Sequence, residues 1–328
     1  MTINDTPPQL TVVVGLISGR VEDLAACLEA LRRQEDPPSL EILVPYDDPC
    51  AEVTRLEQEY PEVRFLRAEG LDSAQARAGA SREHHDTLRT MGLRAARGRY
   101  VALTEDHAIQ GARWCRALVE ALEAHPSVAA FGGAVDCGSP RLLNWAVYFC
   151  DFGRYQNPVP EGPAQYVSDS NVAYRRETLD AVRGAWDSDY RETVVHRALI
   201  EAGYQIWLTP KAEVWQARSG LNLGDSLRER YVWGRSFAWA RVIAVPVARR
   251  AIYAAFSFVL PLLLTMRLGR VAFARGKFRG KFLAVLPLVF LLNMVWAYGE
   301  FVGYVTGRAA SIPSSSSRVP ETTASSTP

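Results

Sequence analysis

The sequence RYVALTEDH (residues 99–107) joins a short apolar stretch to three adjacent reactive side chains. Its first five residues have the pattern of a strand buried on both faces of a parallel sheet, and residues 10–17 form a second such run. In open α/β sheets, ligands bind outside the carboxyl ends of the strands. Glu105, Asp106 and His107 follow such an end, so they form a candidate site. By composition alone, a solvated acidic turn is the commoner structure for this cluster.

Helical and extended patterns alternate along the first hundred residues. The spacing of apolar residues predicts helices over 21–33 and 85–96, and short apolar runs predict strands over 41–44 and 63–66. Strand, helix and strand repeated in this order form βαβ units. We therefore expect an α/β fold in which helices flank a doubly wound sheet.

The composition argues against a nucleic-acid partner and against a disulfide framework. The chain has 328 residues, of which 48% are hydrophobic, so it can bury a large core. Its formal net charge of +1 argues against a nucleic-acid partner, because phosphate backbones are usually met by a strong basic excess. The five cysteines form no CxxC pair, which indicates reduced thiols in a cytoplasmic domain.

The composition changes in the C-terminal third of the chain. We expect a folded α/β domain over residues 1–225 and a basic, interfacial linker over 226–250. Residues 251–306 contain two apolar segments separated by a basic stretch, so we expect C-terminal hydrophobic membrane helices there. The tail over 307–328 is rich in Ser, Thr and Pro, which predicts disorder.

Several short motifs stand in the order found in family-2 glycosyltransferases of the GT-A fold, and the segment 11–217 resembles that family as a whole. The motifs are EILVPYDD at 41–48, RTMG at 89–92, EDH at 105–107, SNVAYRR at 170–176, GAWD at 184–187, Glu192, and GYQ at 203–205. The resemblance implies a GT-A-type doubly wound mixed sheet. It also implies an enzyme that transfers a sugar from a nucleotide-diphosphate sugar.

The resemblance places a divalent cation, Mn²⁺ or Mg²⁺, at Glu105, Asp106 and His107. The family has Asp-x-Asp at this motif, so Glu and His replace the two outer aspartates. Both residues can ligate a divalent cation, and histidine shifts the preference toward Mn²⁺. Thr90 stands where the family usually has Asn, and Gln216 where it often has a metal-binding His. These departures leave the third ligand open.

The same resemblance implies a set of residues that bind the nucleotide sugar. They are Asp47, Asp48, Arg89, Glu105, Asp106, Asn171 and Arg235. An Asx-turn after a strand is the alternative interpretation of Asp47 and Asp48. Arg235 lies in an arginine–aromatic stripe that could close over the diphosphate, and such a stripe beside a membrane segment is also typical of an interfacial belt.

Glu192 is the candidate general base. Family members place a carboxylate at the start of the helix that follows the Asn-containing segment, and an inverting transfer needs one on the side of the sugar opposite the diphosphate. The alternative is a helix N-terminal acid favoured by the helix dipole. Asp187 and Asp189 are the substitutes if Glu192 faces solvent.

We expect the acceptor to be membrane-associated, for example a lipid-linked sugar or a polyprenyl phosphate, because the active domain is joined to hydrophobic helices. The competing hypothesis is a non-catalytic nucleotide-sugar-binding or scaffold protein on the same fold. The altered metal motif and the missing histidine favour that alternative.

The charge pattern predicts an arrangement in the membrane. Residues 282–306 would form a helix of about 37 Å, longer than the roughly 30 Å hydrocarbon core, whereas 251–266 would reach only about 24 Å. If the catalytic domain faces the cytoplasm, the positive-inside rule keeps the basic flanks of 251–266 on that side. We therefore expect 251–266 to be an interfacial or re-entrant hairpin and only 282–306 to cross. Two full spans with a cytoplasmic tail are the competing arrangement.

Overall fold

The structure is a computed structural model that describes residues 7–47, 52–69, 83–242 and 245–308. Asp48 and nearly all of the expected tail lie outside the described residues. Within them, nine strands form one mixed sheet, with the order β3-β2-β1-β4-β8-β6-β9-β5 and β7 paired to β9. The α/β sheet with flanking helices predicted from the sequence is confirmed.

The N-terminal half of the sheet is parallel, as the alternating pattern predicts. Its strands are β1 (Leu10–Gly15), β2 (Leu40–Asp47), β3 (Val63–Ala68) and β4 (Tyr100–Glu105). The intervening helices are α1 (Val21–Arg32), α2 (Thr54–Glu59) and α3 (Glu83–Ala95). Strands β1 and β4 are buried from end to end, which explains their continuous apolar sequences.

The second half of the sheet changes direction. Its strands are β5 (Ala108–Gln110), β6 (Val128–Cys137), β7 (Gly162–Pro163), β8 (Asn171–Arg175) and β9 (Gln205–Gln216). Strand β8 runs antiparallel between β4 and β6, and β9 runs parallel to β6. The helices of this half are α4 (Trp114–Ala124), α5 (Leu142–Asp151), α6 (Arg176–Ala181) and α7 (Glu192–Glu201).

Within the described residues, four helices follow the sheet. They are α8 (Leu223–Val242), α9 (Val247–Phe256), α10 (Leu260–Arg275) and α11 (Arg279–Thr306). Among the described helices, α11 is long and apolar enough to cross a membrane by length and composition. The pair α9–α10 passes the same test only as one broken element, bent by 58°. Much of the expected basic linker is therefore helix, and the break between α9 and α10 falls inside the apolar segment 251–266.

Small residues bring α8 and α11 into backbone contact. A Cβ atom added at Gly299 would collide with the carbonyl oxygen of Tyr231. A Cβ atom added at Gly303 would lie 2.6 Å from the carbonyl oxygen of Arg235. Gly234 on α8 faces the Trp296 carbonyl of α11 equally closely. Glycines four residues apart allow this close approach of two helices. We call this contact the α8–α11 seam.

The seam predicts different effects for two glycines of the same helix. Gly299→Ala should lower the free energy of unfolding by roughly 1–3 kcal/mol, because backbone atoms of α8 must move to admit the methyl group. Gly280→Ala is the matched control, since nothing lies within 4 Å of its Cβ position and alanine favours the helix. Denaturant unfolding of the full chain in mild detergent compares the two. Equal midpoints would show that the helices do not touch at Gly299.

Candidate active site

The candidate site lies where several strand ends meet at one edge of the sheet. Glu105 ends β4, and Asp106 and His107 form the turn into β5. Gln216 ends β9 and is paired with Ala108 across the antiparallel β5–β9 ladder. The structure therefore brings together the three residues of the predicted metal motif and Gln216. All four side chains are more than nine-tenths buried.

Arg89 joins three carboxylates beneath this edge. Its guanidinium comes from α3 and is 1% exposed. One nitrogen, Nη2, lies 2.9 Å from Asp169 and 3.3 Å from Glu105, and Nη1 lies 3.3 Å from Asp86. Burial acts to lower the pKa of Arg89, but the three carboxylates outweigh it and raise the pKa above its ordinary value. Arg89 is thus a permanent cation that holds the acids together.

Burial raises the pKa of Glu105 above its ordinary value, and the nearby Asp169 adds to that effect. His107 and Arg89 act in the opposite direction, as does the hydrogen bond that Gln216 Nε2 donates to Glu105 Oε2 over 3.1 Å. The buried Glu105 carboxylate is therefore held by cations and donors on several sides.

Asp106 is fully engaged by the loop between β1 and α1. Its carboxylate accepts hydrogen bonds from the Ser18 and Gly19 amides at 3.0 Å and from the Ser18 hydroxyl at 2.8 Å. It also contacts His107 Nδ1 at 2.9 Å. Burial acts to raise the pKa of Asp106, but the bonds from His107 and Ser18 lower it below its ordinary value. The ionised Asp106 carboxylate therefore connects the β4–β5 turn to the β1–α1 loop.

The contact with Asp106 also sets the tautomer of His107. A carboxylate only accepts hydrogen bonds, so Nδ1 carries a proton and Nε2 is directed elsewhere. Nε2 lies 3.4 Å from Glu105 Oε2. Burial acts to lower the pKa of His107, but Asp106 and Glu105 raise it above its ordinary value. An imidazole oriented by a carboxylate through its other nitrogen is the usual arrangement of a metal-binding histidine.

The fit of a divalent cation depends on donors beyond the acidic residues. No group of three or more His, Cys, Asp or Glu side chains in the described ranges has an arrangement that could hold a metal ion. Glu105 and His107 supply two donors that face each other. Gln216 Oε1 is buried next to them and has no hydrogen-bond partner in the described structure. An unpartnered amide oxygen beside a carboxylate and an imidazole suits a divalent cation.

Asp169 connects the Arg89 cluster to the predicted base. It precedes β8, whose first residue pairs with Thr104 at the end of β4, so it lies at the same edge as the metal motif. Its backbone amide donates to Glu192 Oε2 over 3.1 Å. Glu192 begins α7 and is half-buried. Asp169 was not predicted from the sequence, although its position just before Asn171 is a signal that could have indicated it.

The contacts of Asn171 are structural. Its Nδ2 donates to the carbonyls of Ala134 and Ala212 at 2.8 and 2.9 Å, and its Oδ1 accepts from Trp114 Nε1 at 2.8 Å. Both amide hydrogens are used within the protein. The side chain therefore ties β6, β8, β9 and α4 together, and the predicted contact with the donor has no support from this geometry.

The remaining candidates lie in different places. Asp47 is buried at the carboxyl end of β2, at the edge that carries the site. Arg235 is not brought to the site, because its guanidinium donates to the Arg308 carbonyl at 3.2 Å beside the end of α11. Of the substitute bases, Asp187 pairs with Arg94 and Asp189 with Arg191 in exposed ion pairs.

A second cation, Arg218, lies close to the metal motif and was not predicted. The Ala217 amide donates to the His107 carbonyl over 2.8 Å, which places Arg218 directly beyond the end of β9. Arg218 pairs with Glu229 on α8 at 2.9 Å. Burial acts to lower the pKa of Arg218, but Glu229 and Asp106 raise it above its ordinary value. Arg218 is therefore an ion-paired cation on the His107 side of the edge.

Comparisons with solved structures gave distant similarities. A mannosyltransferase, PcManGT from Pyrobaculum calidifontis in complex with GDP-Man and Mn²⁺, is 17% identical, with a TM-score of 0.48 over 92% of this chain and 86% of that chain. S. aureus TarS 1-349 is 12% identical, with a TM-score of 0.48 over 92% of each chain. Its complex with UDP has the same identity and coverage and a TM-score of 0.46. A search among curated proteins gave no match.

The comparison with protein families gave a more direct result. The model described as "Glycosyl transferase family 2" matches residues 18–183, which is half of the chain. The match includes β2 to β4, the Arg89 cluster and the Glu105–His107 turn. It agrees with the resemblance carried by the sequence motifs. The chain belongs to glycosyl transferase family 2.

Proposed function

We propose that this protein is an inverting, divalent-cation-dependent hexosyltransferase that uses a nucleotide-diphosphate sugar and a membrane-associated acceptor. One observation carries the proposal. Glu105, His107 and Gln216 face one another at the sheet edge, while Arg89 and Asp169 connect them to Glu192. A candidate leaving-group site and a candidate base are thus joined by one network of ion pairs and hydrogen bonds.

Glu105 Oε2, His107 Nε2 and Gln216 Oε1 would hold the cation. When bound, the cation would neutralise the charge that develops on the leaving diphosphate. A mixed carboxylate, imidazole and amide set favours Mn²⁺ over Mg²⁺. In this assignment Asp106 orients His107 and fixes the β1–α1 loop. The cluster of hydrogen bonds around Asp106 supports that division of roles.

Glu192 would act as the general base. Its carboxylate would accept the proton of the acceptor hydroxyl as that oxygen attacks the anomeric carbon. The new glycosidic bond forms as the bond from the anomeric carbon to the diphosphate oxygen breaks, and the bonding electrons leave with the diphosphate. Attack from the face opposite the diphosphate inverts the anomeric centre. The bond from the Asp169 amide supports this role because it positions one carboxylate oxygen of Glu192.

The non-catalytic alternative, a nucleotide-sugar-binding or scaffold protein, keeps one supporting observation. Asp106, the central residue of the metal motif, is engaged by the protein itself. A binder would take up the donor without releasing nucleoside diphosphate. We place the catalytic domain on the cytoplasmic side of a membrane, where nucleotide sugars are available, and the apolar α11 supports the membrane attachment.

The base assignment predicts a loss of turnover without a loss of donor binding. Glu192→Gln should lower kcat by about 10²- to 10⁴-fold, because an amide cannot accept the proton, and should leave donor affinity unchanged. Glu201→Gln, at the exposed other end of α7, is the matched control and should keep normal turnover. Turnover is measured as release of nucleoside diphosphate from the donor that gives the largest thermal stabilisation. Unchanged kcat in Glu192→Gln would exclude this residue as the base.

The cation assignment predicts a selective loss of metal-dependent binding. His107→Ala should remove the extra thermal stabilisation that Mn²⁺ gives in the presence of a nucleoside diphosphate, and should reduce turnover. His125→Ala is the control, because His125 lies at the opposite end of β6 and packs on Trp207 at 4.7 Å. That variant should retain the full Mn²⁺ effect at its own melting temperature. A full Mn²⁺ effect in His107→Ala would mean that the cation binds elsewhere.

A further inference from the structure

The outward faces of α9, α10 and α11 are strongly apolar. At the bend between α9 and α10, Phe256 is 64% exposed and Phe258 is 76% exposed. Leu262 and Leu263 continue this surface onto α10. We call the bend and the first turn of α10 the apolar elbow. Large apolar side chains that are exposed together mark a binding surface.

One face of α11 is exposed along most of the helix. Leu283, Pro287, Phe290, Met294 and Tyr298 are all exposed, and their spacing of three or four residues puts them on a single stripe. No charged residue lies in this stripe. It extends over about 22 Å at 1.5 Å per residue.

The opposite face of α11 is covered by the protein. Phe282, Val285, Val289 and Leu292 belong to the same hydrophobic core as the catalytic domain, and Phe282 packs on Phe149 of α5 at 5.1 Å. Further along, the α8–α11 seam covers the same side. The catalytic domain therefore lies beside α11 rather than at its end.

This packing disfavours a crossing helix. If α11 were perpendicular to the bilayer, α8 would enter the hydrocarbon with Arg235 and Arg241, which is costly. Arg250 donates to the Tyr304 and Val305 carbonyls at the end of α11, so it would have to reach the far side. A crossing helix could not keep Arg250 on the cytoplasmic side, as the charge pattern requires.

The charge of the region indicates which membrane it fits. Residues 230–299 contain 11 Lys and Arg residues and no Asp or Glu. Arg267, Arg270 and Arg279 are exposed on α10 and α11 beside the apolar faces. Basic residues that border an apolar helix face are attracted to anionic lipid headgroups.

We infer that α11 lies in the plane of the bilayer surface, with its exposed stripe and the apolar elbow inserted into one leaflet of an anionic membrane. The chain is then attached to the membrane without crossing it. This inference rests on the membrane attachment within the proposed function, but not on the sugar transfer. It replaces the expected crossing of residues 282–306.

Depth measurements distinguish the two arrangements. An environment-sensitive fluorescent amino acid is placed in turn at Leu283, Met294 and Val305 of the full chain, which is then bound to vesicles of phosphatidylcholine and phosphatidylglycerol. Lipids brominated at different chain positions report depth by quenching. An in-plane helix gives similar, shallow depths at all three positions. A deep Met294 between shallow Leu283 and Val305 would show a span and overturn the inference, and so would the absence of quenching at every position.

Charge substitution provides a second test. Phe290→Glu combined with Met294→Glu should weaken binding to the phosphatidylglycerol-containing vesicles at least about 100-fold, because the stripe loses its apolar contact with lipid. The control combines Leu142→Glu with Ile200→Glu, two exposed apolar positions outside α9–α11. This control variant should bind the vesicles as the parent protein does.

Donor hydrolysis in detergent is measured on the same proteins, so that a failure of membrane docking is separated from a failure of the proposed reaction. Unchanged vesicle binding in Phe290→Glu/Met294→Glu would contradict the docking surface.

Discussion

The candidate site depends on the buried cation of Arg89. Three carboxylates, from α3, β4 and the loop before β8, converge on one guanidinium that is almost inaccessible to water. Without that cation, the three acids would repel one another in a medium that screens charge poorly. The cluster therefore sets the relative positions of Glu105 and Asp169. Through the Asp169 amide it also sets the position of Glu192.

The departures from the family's metal motif are understandable in terms of this network. The carboxylate of Asp106 already accepts hydrogen bonds from the β1–α1 loop and contacts His107 Nδ1. The donor atoms that remain for a ligand therefore belong to its neighbours, Glu105 and His107. Glu105 is longer than the aspartate it replaces and reaches Arg89, Gln216 and His107 together. Replacing the family's histidine by Gln216 keeps a side-chain donor at the end of β9. The altered residues thus form a mutually consistent set.

The sequence allowed the parallel half of the fold to be predicted because three of its strands, β1, β2 and β4, are buried on both faces. The runs expected at 10–17, 41–44 and 63–66 correspond to β1, β2 and β3. The family resemblance predicted Glu105 and Glu192 as site residues, and the structure connects them indirectly through Arg89 and Asp169. Asp169 was not identified, because an acid that faces a buried arginine has the same local sequence as one in a solvated loop, and its position just before Asn171 is the one signal that the sequence offers. The engagement of Asn171 likewise depends on the pairing of β8 with distant strands.

In the in-plane arrangement that we infer, the helix α11 illustrates why hydropathy alone does not define a membrane span. Only 39% of its most apolar segment is buried, which suits lipid contact, yet the buried part is continuous with the catalytic core. A helix that serves one protein face and one lipid face is apolar all round, and it therefore has the composition of a span. The positions of the neighbouring helices, and not its composition, distinguish such a helix from a membrane span.

The salt bridge between Lys277 and Asp136, at 2.6 Å, connects the turn before α11 to the end of β6. Because β6 ends at the same edge as the site, a leaflet in contact with α11 in the arrangement that we infer would lie near the strand end that carries Glu105. Under the proposed function, a membrane-bound acceptor would approach from that leaflet and the soluble donor would enter from the aqueous side.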